Sequence, residues 1–137
     1  MEGSGTGAGS VQIAVVGGDF VDLMAWRKAS ALVVALHAAL GRLSGSAVAS
    51  SRDQMIRAAE SIPANIAEGH GRGISGDCAR FLTVARTSAA ELESHLRIVQ
   101  GTGRLDFARA QILILQTREV RYLVHRLLVS VRLRLSH

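Results

Sequence analysis

The sequence predicts an all-α protein that folds as an up-down-up-down antiparallel four-helix bundle. Hydrophobic residues make up 48% of the chain and aromatic residues only 4%. Ala, Leu, Val and Ile must therefore supply the core, which is typical of packed helices. Four segments repeat apolar residues at helical spacing. Short connections join these segments, and helices joined in this way pack as antiparallel neighbours.

Residues 1–18 are predicted to be a flexible appendage, and residues 19–137 to be the bundle domain. The appendage consists of MEGSGTGAGS followed by VQIAVVGG, which alone would indicate a strand and a turn. No second strand follows to pair with it. The residues after Gly18 also do not continue the GxGxxG pattern of a dinucleotide site.

The expected location of the protein is the cytoplasm. Cys78 is the only cysteine, which excludes an internal disulfide and a cysteine-rich metal site and favours a reducing compartment. The N-terminus lacks the basic region and cleavage site of a secretory signal. The longest nearly apolar run, Ala29 to Leu40, is shorter than the roughly 20 residues that span a bilayer. We therefore expect no membrane partner.

The first helix is predicted from about Phe20 to Arg42, with Asp19 or Asp22 as its capping residue. It has few polar positions, so it must be covered on more than one side. The segment LSGSAVASS is predicted to connect it to the second helix. The apolar positions of the first helix are Leu23, Trp26, Ala29, Leu32, Val33, Leu36 and Leu40.

The second helix is predicted from about Ser51 to Glu68. Pro63 lies inside it, but the apolar phase continues past the proline, which indicates one kinked helix rather than two. Glycines between Gly69 and Gly76 then end the helix and turn the chain. The apolar positions follow spacings of four, three and four residues: Met55, Ala59, Ile62 and Ile66.

The third helix is predicted from about Asp77 to Gln100. Its apolar positions recur near heptad spacing, with His95 at one step of the repeat. Gly101 and Gly103 are predicted to stop it. The repeating positions are Phe81, Ala85, Ser88, Leu92 and Val99.

The fourth helix is predicted to begin near Asp106 and to run almost to the C-terminus. Its core arc comprises Leu113, Val120, Val124, Leu127, Val131 and Leu135. A second apolar stripe lies outside that arc. At 100° per residue, its members fall within about 40° of one another around the helix axis: Leu115, Tyr122, Val129 and Leu133. A bundle helix needs only one apolar face, so this stripe predicts contact between copies in a homo-oligomer. The alternative is one broad core face.

The net charge of +5 is concentrated in the last segment. Up to Gly103 the chain has nine basic and nine acidic residues, whereas from Arg104 onward seven arginines accompany only two acids. Basic residues also cluster on the fourth helix, within an arc of about 60° around its axis. This basic band comprises Arg118, Arg121, His125 and Arg132, with Arg126 nearby. Guanidinium groups pair well with phosphate oxygens, so the band predicts contact with an RNA or DNA backbone. The alternative is a solvated helix face.

The segment SRDQMIRAAESIPANIAEGHGRG resembles a four-helix-bundle family first noticed as proteins encoded in intervening sequences of bacterial large-subunit ribosomal RNA genes. The family signature reads Q-hydrophobic-RRAA-x-SIPANIAEG-x-GR, followed by RFL-x-x-A-x-GS-x-x-ELE, and an upstream D-L-x-V-W-x-K-A is matched by DLMAWRKA. The resemblance covers about residues 20 to 130. The matching positions are Asp22, Leu23, Trp26, Lys28, Ala29, Gln54, Arg57, Ala58, Ala59, Ser61 to Gly69, Gly71, Arg72, Arg80, Phe81, Leu82, Ala85, Ser88, Glu91, Leu92 and Glu93.

The resemblance implies an antiparallel four-helix bundle assembled as a ring-like homopentamer. A related branch is similar to the accessory protein of diversity-generating retroelements, a basic pentamer that works with a reverse transcriptase and its RNA. The sequence departs from the signature at Ile56, where the first arginine of a pair is expected, and at Glu60, Cys78 and Thr87. The loss of one arginine weakens a nucleic-acid role for the second helix.

Four signature residues are also candidate site residues. Pro63 and Asn65 are predicted to serve packing and the oligomer interface, because patterned residues usually support the core. Arg57 is a candidate for nucleic-acid binding. The Gly69 to Gly73 turn with Arg72 can attract an anion at the start of a helix, and the alternative is a simple helix-helix turn.

No enzyme, metal or cofactor site is predicted. A carboxylate-bridged di-metal bundle needs two Glu-x-x-His motifs, and none occurs. Glu91 and His95 are four residues apart and share a face, but such a pair is usually a solvated or interface contact. Neither Cys78 nor any serine belongs to a recognisable nucleophile motif.

The sequence therefore favours a non-enzymatic, basic homo-oligomer that binds nucleic acid, RNA in particular, as an accessory protein. The alternative is a protein-interaction scaffold that recruits a partner such as a reverse transcriptase and has no nucleic-acid role.

Overall fold

The structure is a computed structural model and describes residues 17–41 and 46–136. Within these ranges the chain forms four α-helices and no strand. They are α1 (Gly17–Leu40), α2 (Ser46–His70), α3 (Gly76–Gly101) and α4 (Phe107–Leu135). Each helix packs against the next, and α1 also packs against α4, which closes the bundle.

Neighbouring helices run antiparallel, as the order of their contacts indicates. Ser61 of α2 meets Ser88 of α3 with 2.8 Å between the hydroxyl oxygens, whereas Gly69, further along α2, lies against Cys78, near the start of α3. The contacts between the other neighbouring helices follow the same reversed order: Asp22 with His70, His37 with Glu60, Gln100 with Gln111, and Arg86 with His125. The predicted up-down-up-down topology is confirmed.

The core is aliphatic, as the composition predicted. The largest fully buried side chains come from all four helices: Leu32, Leu36, Leu40, Met55, Ile62, Ile66, Leu92, Leu96, Ile114, Val120, Val124 and Leu128. The helical phase explains this set, because residues three or four positions apart lie on one face. The apolar spacing predicted for α2 places its four positions in the core, and the helix continues through Pro63.

Side-chain caps define the start of α3 and of α4. Ser75 Oγ accepts a hydrogen bond from the backbone amide of Cys78, and Asp106 accepts one from the amide of Arg109, each at 3.1 Å. Both bonds satisfy amide groups that a helix start leaves free. Before α4 the chain turns through Gly103, whose φ of 73° suits glycine because that region crowds a Cβ.

One predicted boundary and one predicted cap were wrong. α2 begins at Ser46, so part of the segment predicted as a connection is helical, because serine and alanine in that segment are compatible with a helix once the domain packs. Asp22 does not cap α1. It lies inside the helix and pairs with His70. Residues 1–16 of the predicted appendage, and Arg42 at the predicted end of α1, lie outside the described residues.

Three residues predicted in apolar core arcs are exposed. They are Leu23 and Trp26 on α1 and Leu135 in the last turn of α4. Leu23 and Trp26 are exposed because the buried stripe of α1 centres on Ala25, Ala29, Leu32 and Leu36 instead. Leu135 is exposed because it is the last residue of α4, one turn beyond the buried Val131.

Over Phe20–Leu40, α1 is long and apolar enough to cross a membrane by length and composition alone. About a third of this apolar stretch is buried inside the bundle. The same length and composition are found in core helices of bundles.

Candidate nucleic-acid interface

The predicted basic band of α4 borders α3. Arg118, His125 and Arg132 are exposed, and Arg121 is half-buried. Arg86 of α3 lies 3.0 Å from His125, measured from Nη1 to Nδ1. A guanidinium can only donate, so a hydrogen bond between these two atoms needs Nδ1 as its acceptor.

Two arginines of α3 lie on the same side of the bundle as the band. Arg86 contacts His125, and Arg97 shares an acidic partner with Arg121. We call the resulting surface the α3–α4 basic face and define it as Arg86, Arg97, Arg118, Arg121, His125 and Arg132. Sequence reasoning missed Arg86 and Arg97 because they are far apart along α3, with no other arginine between them. The available signal was their spacing, because residues about three turns apart lie on the same face of a helix, here the side of α3 that faces α4.

Glu93 is the acidic partner within this face, and it is only 8% exposed. Its Oε2 accepts from Arg97 Nε at 2.9 Å and lies 2.8 Å from Arg97 Nη2. Arg121 Nη1 lies 2.8 Å from Oε1, but its N–H directions miss that oxygen, so this contact is an ion pair rather than a directed hydrogen bond. One buried carboxylate thus joins α3 to α4 through two guanidinium groups.

Arg126 lies on the other side of the α4 stripe. Its guanidinium is 5.8 Å from the centre of the Tyr122 ring, a cation–π distance. On that side of α4, Glu119 pairs with Lys28 of α1 at 3.1 Å. The α1 side of α4 is therefore closer to charge balance than the α3–α4 basic face.

Arg57 and Arg72 lie elsewhere. Arg57 is on α2 and lines an open groove between α2 and α3 with Gln54, Glu91 and His95. Arg72 is in the α2–α3 turn and pairs with Asp77 at 3.4 Å and Glu68 at 3.8 Å. It also lies 5.0 Å from the Phe81 ring centre. The structure therefore does not join either arginine to the α3–α4 basic face.

The predicted interface residues also fall into two groups. The first group is the α4 stripe, which is 39–60% exposed and points away from the core: Leu115, Tyr122, Val129 and Leu133. Asn65 donates to the carbonyl of Ser61 at 2.7 Å and to its hydroxyl at 2.9 Å, while Pro63 is half-buried on α2. Because α2 lies diagonally opposite α4 in the bundle, Pro63 and Asn65 do not adjoin the stripe.

A small cavity at one end of the bundle is lined by Asp22, His70, Cys78 and Arg134 among others. Nothing in the sequence pattern indicated that Cys78 would lie near an acid and a histidine. Burial, and secondarily the charge of Asp22, raise the pKa of the Cys78 thiol above its ordinary value of 9.0. A raised pKa disfavours the thiolate, which is the nucleophilic form. Among the described residues, no group of three or more His, Cys, Asp or Glu could hold a metal ion.

Comparison with known proteins identifies the family. Residues 21–126 match the family described as 23S rRNA-intervening sequence protein. The chain belongs to the 23S rRNA-intervening sequence protein family. None of the curated proteins matches the chain in sequence.

The chain is similar in structure to a protein of unknown function from Bacteroides thetaiotaomicron, which belongs to the S23 ribosomal protein family and whose crystal structure is known. The TM-score is 0.71, with 19% sequence identity, and the match covers 79% of this chain and 97% of the other. At this identity the likeness shows the fold, and it agrees with the four-helix bundle described above.

The signature segment of this intervening-sequence protein forms the contact between α2 and α3. Ile62 and Ile66 are buried in the core, and the Ser61 hydroxyl bonds to that of Ser88. A Cβ added at Gly69 would lie 3.3 Å from the backbone oxygen of Cys78 and 3.4 Å from Phe81 Cβ. These contacts give the signature a packing role, because glycine permits the close approach of α2 to α3.

Proposed function

We propose that this protein is a non-enzymatic, homo-oligomeric accessory protein that binds the phosphate backbone of RNA through the α3–α4 basic face. The proposal rests on one observation. Five arginines from two neighbouring helices share that side of the bundle, four of them by their contacts and Arg132 by its helical phase on α4, and two of the five contact Glu93. Each phosphate that such a surface neutralises releases bound counterions from the nucleic acid, which favours binding.

Binding through this face is expected to depend little on sequence. Arginine side chains on one flat helical surface reach phosphates, whereas base identity is read through base edges or stacked rings. Tyr122 is the only tyrosine in the chain, and it is exposed beside the face. The protein therefore offers many backbone contacts and few contacts that distinguish bases.

The assembly that we propose is a ring-like homopentamer, as the family resemblance implies. The exposed α4 stripe supports it, because an apolar row on the outside of a bundle is typical of a subunit contact. α1 adds exposed Phe20, Leu23, Trp26 and Val34. A ring would repeat the α3–α4 basic face around one axis and so multiply the phosphate contacts.

The test is the salt dependence of RNA binding in a variant with Arg86→Gln, Arg118→Gln and Arg132→Gln. Arg121 is left in place because it partners the buried Glu93. If each arginine contacts one phosphate, the slope of log affinity against log salt should fall in magnitude by about 2, at about 0.7 per phosphate of a single strand. Affinity should fall by similar factors for unrelated RNA sequences. The measurement is fluorescence anisotropy with labelled RNA at salt concentrations from about 50 to 300 mM, over which the affinity of such complexes changes enough to define the slope.

A matched control removes the same charge elsewhere. Arg80, Arg104 and Arg109 are exposed outside the α3–α4 basic face, so their replacement by Gln should lower affinity much less. If both triple variants bind RNA as the unmodified protein does, with unchanged oligomer mass, the nucleic-acid proposal is rejected.

A protein-interaction scaffold is the second candidate function, and the exposed α4 stripe favours it. An apolar stripe flanked by Arg118 on one side and Arg126 on the other suits an acidic and apolar protein surface. A reverse transcriptase or another polymerase is the partner that such a scaffold would recruit. Unchanged RNA affinity in the basic-face variant would favour this function.

A further inference from the structure

We infer that Arg97 and Arg121 form a phosphate subsite and that Glu93 is the residue that positions them. The inference rests on the proposed function, since it specifies where on the α3–α4 basic face a backbone phosphate binds. It assigns to Glu93 a role that its charge alone would not suggest. An acid on a surface that binds a polyanion ordinarily weakens binding.

The geometry around Glu93 carries the inference. Both guanidiniums are held by one carboxylate, Arg97 on Oε2 and Arg121 on Oε1, each with a nitrogen at 2.8 Å. The side chain of Glu93 is only 11% exposed, whereas those of Arg97 and Arg121 are 51% and 38% exposed. The acid therefore lies beneath the two cations, and each cation presents part of its surface outward.

The two guanidiniums retain donors for a ligand. Each carries five N–H groups. Arg97 turns Nε and Nη2 toward Glu93, whereas Arg121 approaches Glu93 with Nη1 as an ion pair and without a directed hydrogen bond. Their remaining N–H groups are not committed to Glu93. A phosphate offers several acceptor oxygens and suits paired guanidinium donors.

The charge balance favours an anion as the third partner. Two guanidiniums and one carboxylate carry a net charge of +1. The same open groove that Arg121 lines also holds Arg86 and Arg118, against one acid, Glu119, which pairs with Lys28. A buried carboxylate holds its partners strongly because an unpaired charge there would be costly. Two flexible arginine side chains are thus ordered before a ligand arrives, which reduces the entropy lost on binding.

The experiment compares two single substitutions that remove the same charge. Glu93→Gln removes the buried acid, and Glu119→Gln removes an exposed acid that lines the groove on the α1 side. By long-range charge alone, both variants should bind a single-stranded RNA more tightly. If Glu93 positions the arginines, Glu93→Gln should instead bind several-fold more weakly, with a salt slope reduced by about 0.7 for one lost phosphate. Glu119→Gln should bind slightly more tightly.

A Glu93→Gln variant that binds RNA as tightly as Glu119→Gln, or more tightly, overturns the subsite. Arg97→Lys supplies a second test if Glu93→Gln fails to fold. It keeps the charge but loses the paired donors, so affinity should fall several-fold while the salt slope, which follows the number of neutralised phosphates, stays nearly the same. Unchanged affinity in Arg97→Lys also overturns the subsite.

The two proposals fail in different ways. Absence of RNA binding by the unmodified protein at low salt rejects the proposed function. The subsite alone is rejected if the unmodified protein binds RNA, the basic-face triple variant loses affinity, and Glu93→Gln binds more tightly.

Discussion

Glu93 and Cys78 are both buried on α3, and their surroundings give them opposite chemistry. Two guanidiniums lie within 2.8 Å of the Glu93 carboxylate, so its charge is compensated where water is excluded. Cys78 is buried at the end of the bundle, near the carboxylate of Asp22. Burial and a neighbouring negative charge both disfavour the Cys78 thiolate.

The raised pKa of Cys78 predicts a loss of stability in alkaline solution. The folded state resists ionisation of this thiol, so its contribution is fully present below the ordinary pKa of 9.0 and is lost as the pH rises above that value. The loss can reach about 1.4 kcal/mol per pH unit until the folded-state pKa is passed. The measurement is the free energy of unfolding in urea from about pH 7 to 10.5, roughly the range over which a thiol titrates, under reducing conditions.

Cys78→Ala is the control for this prediction because the chain contains no other cysteine. The stability difference between the unmodified protein and Cys78→Ala should be constant below about pH 8, roughly one unit under the ordinary pKa. Above about pH 9 it should shift in favour of the alanine variant. A difference that stays constant throughout the alkaline range contradicts the raised pKa.

At the scale of the elements, the contact between the end of α2 and the start of α3 depends on Gly69. A Cβ at this position would lie 3.3 Å from the backbone oxygen of Cys78 and 3.5 Å from Leu82 Cγ, so the space for a side chain is limited. Backbone atoms in a helix yield little, so an added methyl group must separate the helices slightly.

Gly69→Ala is therefore expected to destabilise the protein by about 1 kcal/mol, since overpacking outweighs the gain in helix propensity near a helix end. Gly76→Ala is the matched control, because Gly76 has no atom within 4 Å of a Cβ and should be neutral or slightly stabilising. Thermal melts of both variants provide the measurement. A Gly69→Ala protein that melts at or above the temperature of Gly76→Ala contradicts a packing role for this glycine.

Helical periodicity predicted the elements better than it predicted their ends or their partners. A period of 3.6 residues places Leu92 and Val99, or Arg118 and His125, on one face from spacing alone. The start of α2 was missed because serine and alanine residues are compatible with both loop and helix. The pairing of Arg97 with Arg121 through Glu93 was not predictable, because it depends on how α3 is rotated against α4.

At the scale of the whole molecule, α1 and α4 pack against each other and each also exposes an apolar row. The row on α1 includes Phe20, Leu23 and Val34, and the row on α4 is the stripe of Leu115, Tyr122, Val129 and Leu133. Apolar residues scattered singly are normal on a protein surface, but aligned rows mark contact sites. The rows are different surfaces, so a contact between α4 of one copy and α1 of the next is heterologous, and repetition of it can close a ring.

The last prediction concerns this assembly. Light scattering at micromolar concentration should give a mass near five times the 14.5 kDa of one chain, since the α4 stripe needs a partner and the family resemblance implies a pentamer. Leu115→Ser, Val129→Ser and Leu133→Ser together should lower the mass, since each polar replacement removes apolar area worth about 25 cal/mol per Å² buried. Ile98→Ser is the control, because Ile98 is 61% exposed on α3, outside both rows, and should leave the mass unchanged. A monomer for the unmodified protein, or an equal mass for all three proteins, would falsify the assignment of the α4 stripe to contact between copies.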